Sequence, residues 1–171
     1  MNRSTAVKTA AISLMLFGFT VATEMPVPAK LQGVIFRRIF DYVKTFDKGE
    51  VNLLVVYAEE PPEVTSELME SFKKAGLLPT TIEVGELSQK IGNAKAVYIL
   101  PGVAASQVKK LCLENGILSL SGIPSMVEQG DISISLTLEG GRPLIVVNRS
   151  RIETEGHQLS SELLQLAKVI E

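Results

Sequence analysis

An α/β fold is predicted: a three-layer, open, mostly parallel sheet flanked by helices, with an antiparallel hairpin at its edge. Short apolar runs alternate with helical patterns from Asn52 to Gly130. Several of those runs are apolar at consecutive positions, as strands covered on both faces by helices must be. After Asp131 the pattern changes to strict apolar and polar alternation, followed by a Gly pair and a second strand-like run.

The chain opens with Arg3 and Lys8 and no acid, and an apolar stretch from Ala10 to Val21 follows directly. That order is that of a secretory signal. The stretch is too short for a helix across a hydrocarbon core of about 30 Å, which needs about 20 residues. Small Ala22, with Thr20 two positions before it, offers the cleavage point, so residues 1–22 are expected to be a signal peptide and residues 23–171 the folded domain. No cysteine stands near that point to carry a lipid, and the cleaved product is expected to enter no membrane. Losing Arg3 and Lys8 takes the formal net charge from −2 to −4. Nucleic acid is not an expected partner, since no cluster of Lys and Arg is present. Cys112 is the only cysteine, so stability must come from packing rather than an internal disulfide.

From Pro28 to Phe46 the spacing predicts a helix with Leu31, Ile35, Ile39, Tyr42, Val43 and Phe46 on one face. Phe36 and Phe40 widen its apolar arc to roughly half the circumference, more than the stripe of about 100° that covers a core. Those two rings are candidates either for cover by loops and the C-terminal helix or for a partner-binding or self-association surface. Asn52 to Ala58 then reads as a strand. Pro61 and Pro62 start a helix carrying Val64, Leu68 and Phe72, which Gly76 stops. Thr80 to Val84, Ala96 to Leu100 and Ile117 to Leu120 read as further strands, with a helix bearing Val108, Leu111 and Cys112 between the last two. A short helix follows Pro124. Ile132, Ile134, Leu136 and Leu138 alternate with Ser133, Ser135, Thr137 and Glu139, which predicts a strand with one wet face. Gly140 and Gly141 turn the chain into Leu144 to Val147, and the last element is expected to be a helix from Ser161 to Ile170, capped by Ser160.

The inventory for catalysis is thin. His157 is the only histidine, so no zinc site built on two histidines is available, and no G-x-S-x-G, P-loop or G-x-G-x-x-G motif occurs. No cofactor or metal is expected. Cys112 lies on the apolar face of its helix and reads as a buried, inert thiol; His157 reads as an exposed connector. In an open parallel sheet the carboxyl ends of the strands form the usual binding crevice. That rim would hold Glu59, Glu60, Gly102, Ser121 and Gly122, although turn-making and capping also explain these residues.

Three runs carry a family resemblance. They are Ser119 to Pro124 with Gln129 to Ile132, then Ile145 to Asn148, and most specifically Gln158 to Ala167, where paired serines precede a leucine-rich segment. These resemble the YfiR-like family of periplasmic proteins, the YfiR/HmsC-type regulators. The resemblance implies a periplasmic, homodimeric regulator without enzymatic activity. Such a protein binds the periplasmic sensor domain of a membrane-anchored diguanylate cyclase and suppresses cyclic-di-GMP synthesis on the other side of the membrane. The disulfides that the resemblance would bring have no counterpart here, because Cys112 stands alone. A periplasmic small-ligand-binding protein using the strand-end crevice is the alternative.

Overall fold

A computed structural model describes residues 25–47 and 49–171; the predicted signal peptide, residues 1–22, lies outside them. Five strands run parallel: β1 (Asn52–Tyr57), β2 (Leu78–Glu83), β3 (Ala96–Ile99), β4 (Leu118–Ser121) and β5 (Ile134–Glu139). Strand β6 (Arg142–Asn148) returns antiparallel to β5 across the turn at Gly140 and Gly141, both at positive φ. Strand β7 (Ala167–Ile170) lies parallel to β6, and the sheet order is β2-β1-β3-β4-β5-β6-β7. The consecutive apolar positions of β1 and β3 are explained by cover on both faces.

On one face, α1 (Ala29–Asp41) and α2 (Val64–Lys74) pack on the sheet. Phe36, Ile39, Phe40, Leu68 and Phe72 meet Leu53, Tyr98, Leu120 and Leu136 there. On the other face, Val108 and Cys112 of α4 (Ala105–Asn115) and Val127 of α5 (Pro124–Glu128) cover Val56, Val97, Ile99 and Val146, together with Leu87 of the short α3 (Leu87–Lys90). Gly33 lets α1 and α2 touch. A Cβ there would stand 2.2 Å from the Ser71 carbonyl oxygen, and the Gly33 amide donates to Ser71 Oγ at 3.0 Å.

The structure departs from the sequence expectations in four places. Helix α1 ends at Asp41 rather than Phe46, because the residues beyond it are captured by long-range backbone pairing: the Lys44 amide donates to the Gln158 carbonyl at 2.8 Å and Val43 bridges Leu159. Phe36 and Phe40, candidates for a partner surface, are instead core residues at 0% and 3% exposure. The two rings face the core between the sheet and α2, with Phe36 edge-on to Tyr98 at 5.7 Å, whereas Leu31 of the same apolar arc is 45% exposed. Strand β5 is not wet on its serine face, since Ser133 and Ser135 are fully buried beneath α5 and the end of α6 (Arg149–Thr154), a helix the sequence reading did not anticipate. The C-terminal segment splits into α7 (Ser161–Leu166) and β7, so the hairpin is not the sheet edge. β-Branched Val169 and Ile170 favour the extended state, and β6 offers an unpaired ladder to receive them. Ser160 caps α7 as expected, its Oγ accepting from the Leu163 amide at 3.3 Å.

Candidate functional site: the cleft beside His157

The strand-end rim holds the expected residues at one end of the sheet but leaves only three of the five open. Glu59, Glu60 and Gly102 are exposed beyond β1 and β3, whereas Ser121 and Gly122 are buried. Ser121 Oγ donates to the Ile99 carbonyl at 2.9 Å and accepts from the Ile123 amide at 3.2 Å, which is turn-making chemistry. The space over Gly122 is filled by the chain itself. A Cβ at Gly122 would stand 2.6 Å from Tyr98 Oη, 2.7 Å from Met25 Sδ and 2.9 Å from Gln32 Nε2. Tyr98 donates to Gln32 Oε1 at 2.6 Å, and Gln32 Nε2 in turn donates to the Val27 carbonyl at 2.8 Å. The segment before α1, together with Gln32 of α1, therefore fills the part of this rim beside Gly122.

A cleft of about 220 Å³ opens at the opposite end of α1. Its apolar floor is Val147 of β6, Ile152 of α6, and Leu159 and Leu164 on either side of the α7 start. Its polar rim is Lys44, Arg149, Glu153, His157 and Gln158. Arg149 Nε donates to Glu153 Oε1 at 3.1 Å one turn along α6. Lys44 makes no salt bridge among the described residues.

His157 is not an exposed connector. It is 7% exposed, with Nδ1 2.8 Å from Thr45 Oγ1 and its ring edge-on to Phe46 at 5.4 Å. Nε2 is enclosed without a hydrogen-bond partner. Burial holds the imidazole below its ordinary range, and the Gly116 backbone partly opposes this.

The segment carrying these rim residues is clamped from below by a buried ionic network. Glu155 Oε1 accepts from Ser119 Oγ at 2.6 Å, and its Oε2 accepts from the Ser119 amide at 3.0 Å and from Ser133 Oγ at 2.5 Å. Arg151 lies 3.1 Å from the same carboxylate and donates to the Lys109 carbonyl at 2.6 Å. Asn148 caps α6 by accepting from the Arg151 amide at 2.9 Å. Burial pushes the Glu155 carboxyl above its usual range, against the opposing pull of Ser119, Ser133 and Arg151. Cys112, buried beside this network, has its thiol pushed up mainly by burial and then by the Glu155 charge. An inert thiol was the sequence expectation, and a protonated, enclosed sulfur has that character.

The sequence reading missed Arg151, Glu155 and the cleft. One signal was available: Ser119, Ser121, Ser133 and Ser135 recur every second residue in strands whose other positions are apolar, which marks a small polar face within a covered sheet. Among the described residues no group of three or more His, Cys, Asp or Glu is placed to hold a metal ion, and no helix is long and apolar enough to cross a membrane.

Comparison with solved structures gives the fold. The ABC domain in complex with L-Trp from Streptococcus pneumonia is similar with a TM-score of 0.59 and 16% identity, over 84% of this chain and 60% of that chain. A conserved domain protein from Vibrio cholerae O1 biovar El Tor strain N16961 is similar with a TM-score of 0.61 and 16% identity over the same shares. The chain thus spans about 60% of the length of these two structures, and at this identity the likeness is one of fold. No match was found among curated proteins. The signature of the YfiR/HmsC-like family, in contrast, matches residues 29–168, from the first residue of α1 into β7. That match takes in six strands whole and the first half of the seventh, so the chain belongs to the YfiR/HmsC-like family.

Proposed function

We propose that this chain is a periplasmic regulator without a reaction of its own. It binds the periplasmic sensor region of a membrane-anchored diguanylate cyclase and thereby lowers cyclic-di-GMP synthesis. Family membership over residues 29–168 carries the reading. The placement of the two side chains best suited to covalent or proton-transfer chemistry supports it: Cys112 and His157 are both enclosed, one in the core and one against Phe46. Regulation by binding needs only that the chain prefer one conformation of the sensor over another.

The test is direct. The mature protein is mixed with the isolated sensor region of a cyclase encoded beside it, and association is followed by calorimetry and analytical ultracentrifugation; cyclic-di-GMP is measured in cells with and without the gene. Stoichiometric binding and a rise in cyclic-di-GMP on deletion are expected. Absence of both overturns the reading.

A second reading, a small-ligand-binding protein, is favoured by one observation: the cleft beside His157 sets Lys44 and Arg149 over an apolar floor. That arrangement suits a small anion with an apolar body. Saturable binding lost in Lys44→Ala, with no cyclase association, would put this reading first.

A further inference from the structure

His157 sits on a seam between the segment that follows α1 and the segment that precedes α7. Backbone links run along it: Lys44 donates to Gln158, Ser160 donates to the Tyr42 carbonyl at 3.0 Å, and Val43 bridges Leu159. The imidazole adds the side-chain contacts, to Thr45 and Phe46. A neutral ring fits this site because it carries only one N–H, and Thr45 Oγ1 can donate to or accept from Nδ1. An imidazolium carries two; Nε2 is enclosed and makes no hydrogen bond, and the Gly116 backbone beside the ring offsets only part of the cost of burying the charge.

The surrounding charges do not compensate. Lys44, from the segment after α1, and Arg149, from α6, share the cleft with the ring. Of the nearby carboxylates, Glu153 is engaged with Arg149, and Glu155 is turned onto Ser119, Ser133 and Arg151. Cys112, on α4, lies against Glu155 and is held protonated.

We propose that His157 is an acid-sensitive pin. While neutral it locks the seam; on gaining a proton it leaves its pocket, frees residues 42–47 and 157–160, and widens the cleft between them. The direction follows from linkage. The seated imidazole titrates below the value of about 6.5 of a free one, so the locked state is favoured above about pH 6.5. It loses ground as pH falls from there toward the seated value, the open fraction growing at most about tenfold per pH unit in that window. Glu155 has the opposite sign: burial raises its carboxyl, so acid favours its buried form. The end of α6 therefore stays seated while the ring departs. If the chain acts outside the cytoplasmic membrane, as proposed above, the pin makes its binding respond to external acidity, but the device is a property of the isolated domain and is tested there.

Because His157 is the chain's only histidine, its imidazole C–H resonances report the titration without assignment ambiguity. Amide exchange is followed from pH 7.5 to pH 5 in the wild type and in His157→Gln, each pH compared between the two so that intrinsic exchange cancels. A depressed imidazole titration is expected, with wild-type exchange at residues 42–47 and 157–160 rising relative to the variant below about pH 6.5 and exchange in β3 unchanged. Should His157→Gln fail to fold, Thr45→Val at an exposed position replaces it. Losing the Nδ1 partner should raise exchange at residues 42–47 already at pH 7.5. An ordinary titration, a depressed one with the seam closed throughout, or identical pH profiles in wild type and variant would each overturn the proposal.

Discussion

Glu155 shows how a residue can be decisive and still invisible in sequence. It stands in the stretch Glu153-Thr154-Glu155-Gly156-His157, which reads as a solvated connection, and Glu153 is indeed exposed. What buries Glu155 is distant in the chain: Ser119 and Ser133, on or beside β4 and β5, present donors to it, and Arg151 lies one helical turn earlier. Replacing Glu155 by Ala takes away the acceptor of Ser119 and Ser133 and the partner of Arg151, whose Nε already lacks one. Removing one side of a buried pair typically costs about 3 to 5 kcal/mol, and urea unfolding of Glu155→Ala should show a loss of that size. Adding Arg151→Met should restore part of it, because the stranded charge is then gone. Equal stability of the single and double variants would show that the guanidinium finds water instead.

At the scale of elements, the close approach of α1 and α2 depends on one missing methyl group. In Gly33→Ala the new Cβ would meet the Ser71 backbone, which cannot swing aside as a long side chain could. Overpacking of this kind costs about 1 to 3 kcal/mol or more, and a lowered thermal midpoint with native circular dichroism is expected. The same contact explains the wide apolar arc of α1, since a helix covered on two sides needs more than one stripe. The width was legible in the sequence; its cause was not, because pattern alone cannot distinguish a second helix from a partner. Phe36→Glu with Phe40→Glu should accordingly unfold the domain rather than only weaken association, since two carboxylates would be buried without partners. A folded double variant in circular dichroism melts would contradict the burial of these rings.

For the molecule as a whole, the strand and helix alternation from β1 to α5 was readable because each period is local, and the antiparallel hairpin was readable from its Gly pair. The last segment was not. Ser161 to Ile170 has a helical pattern from end to end, yet Leu166 is 67% exposed and the following residues pair with β6. That choice is made by the sheet, which would otherwise end on a long uncovered strand. A four-residue edge with Lys168 bonded to Glu128 of α5 at 3.0 Å makes a short, charged margin, a way in which sheets avoid pairing with one another. Truncation after Gln158 should therefore do two things. It removes Leu163 from the core, where Leu163→Ala alone should cost about 2 to 5 kcal/mol. It also leaves all seven residues of β6 as an open edge. The truncated chain should lose its cooperative melt and self-associate as its concentration rises, whereas Leu163→Ala should melt earlier and stay monodisperse under the same conditions. Light scattering beside thermal denaturation separates the two effects, and a truncated chain that melts cooperatively without associating would show that β7 is dispensable to the sheet.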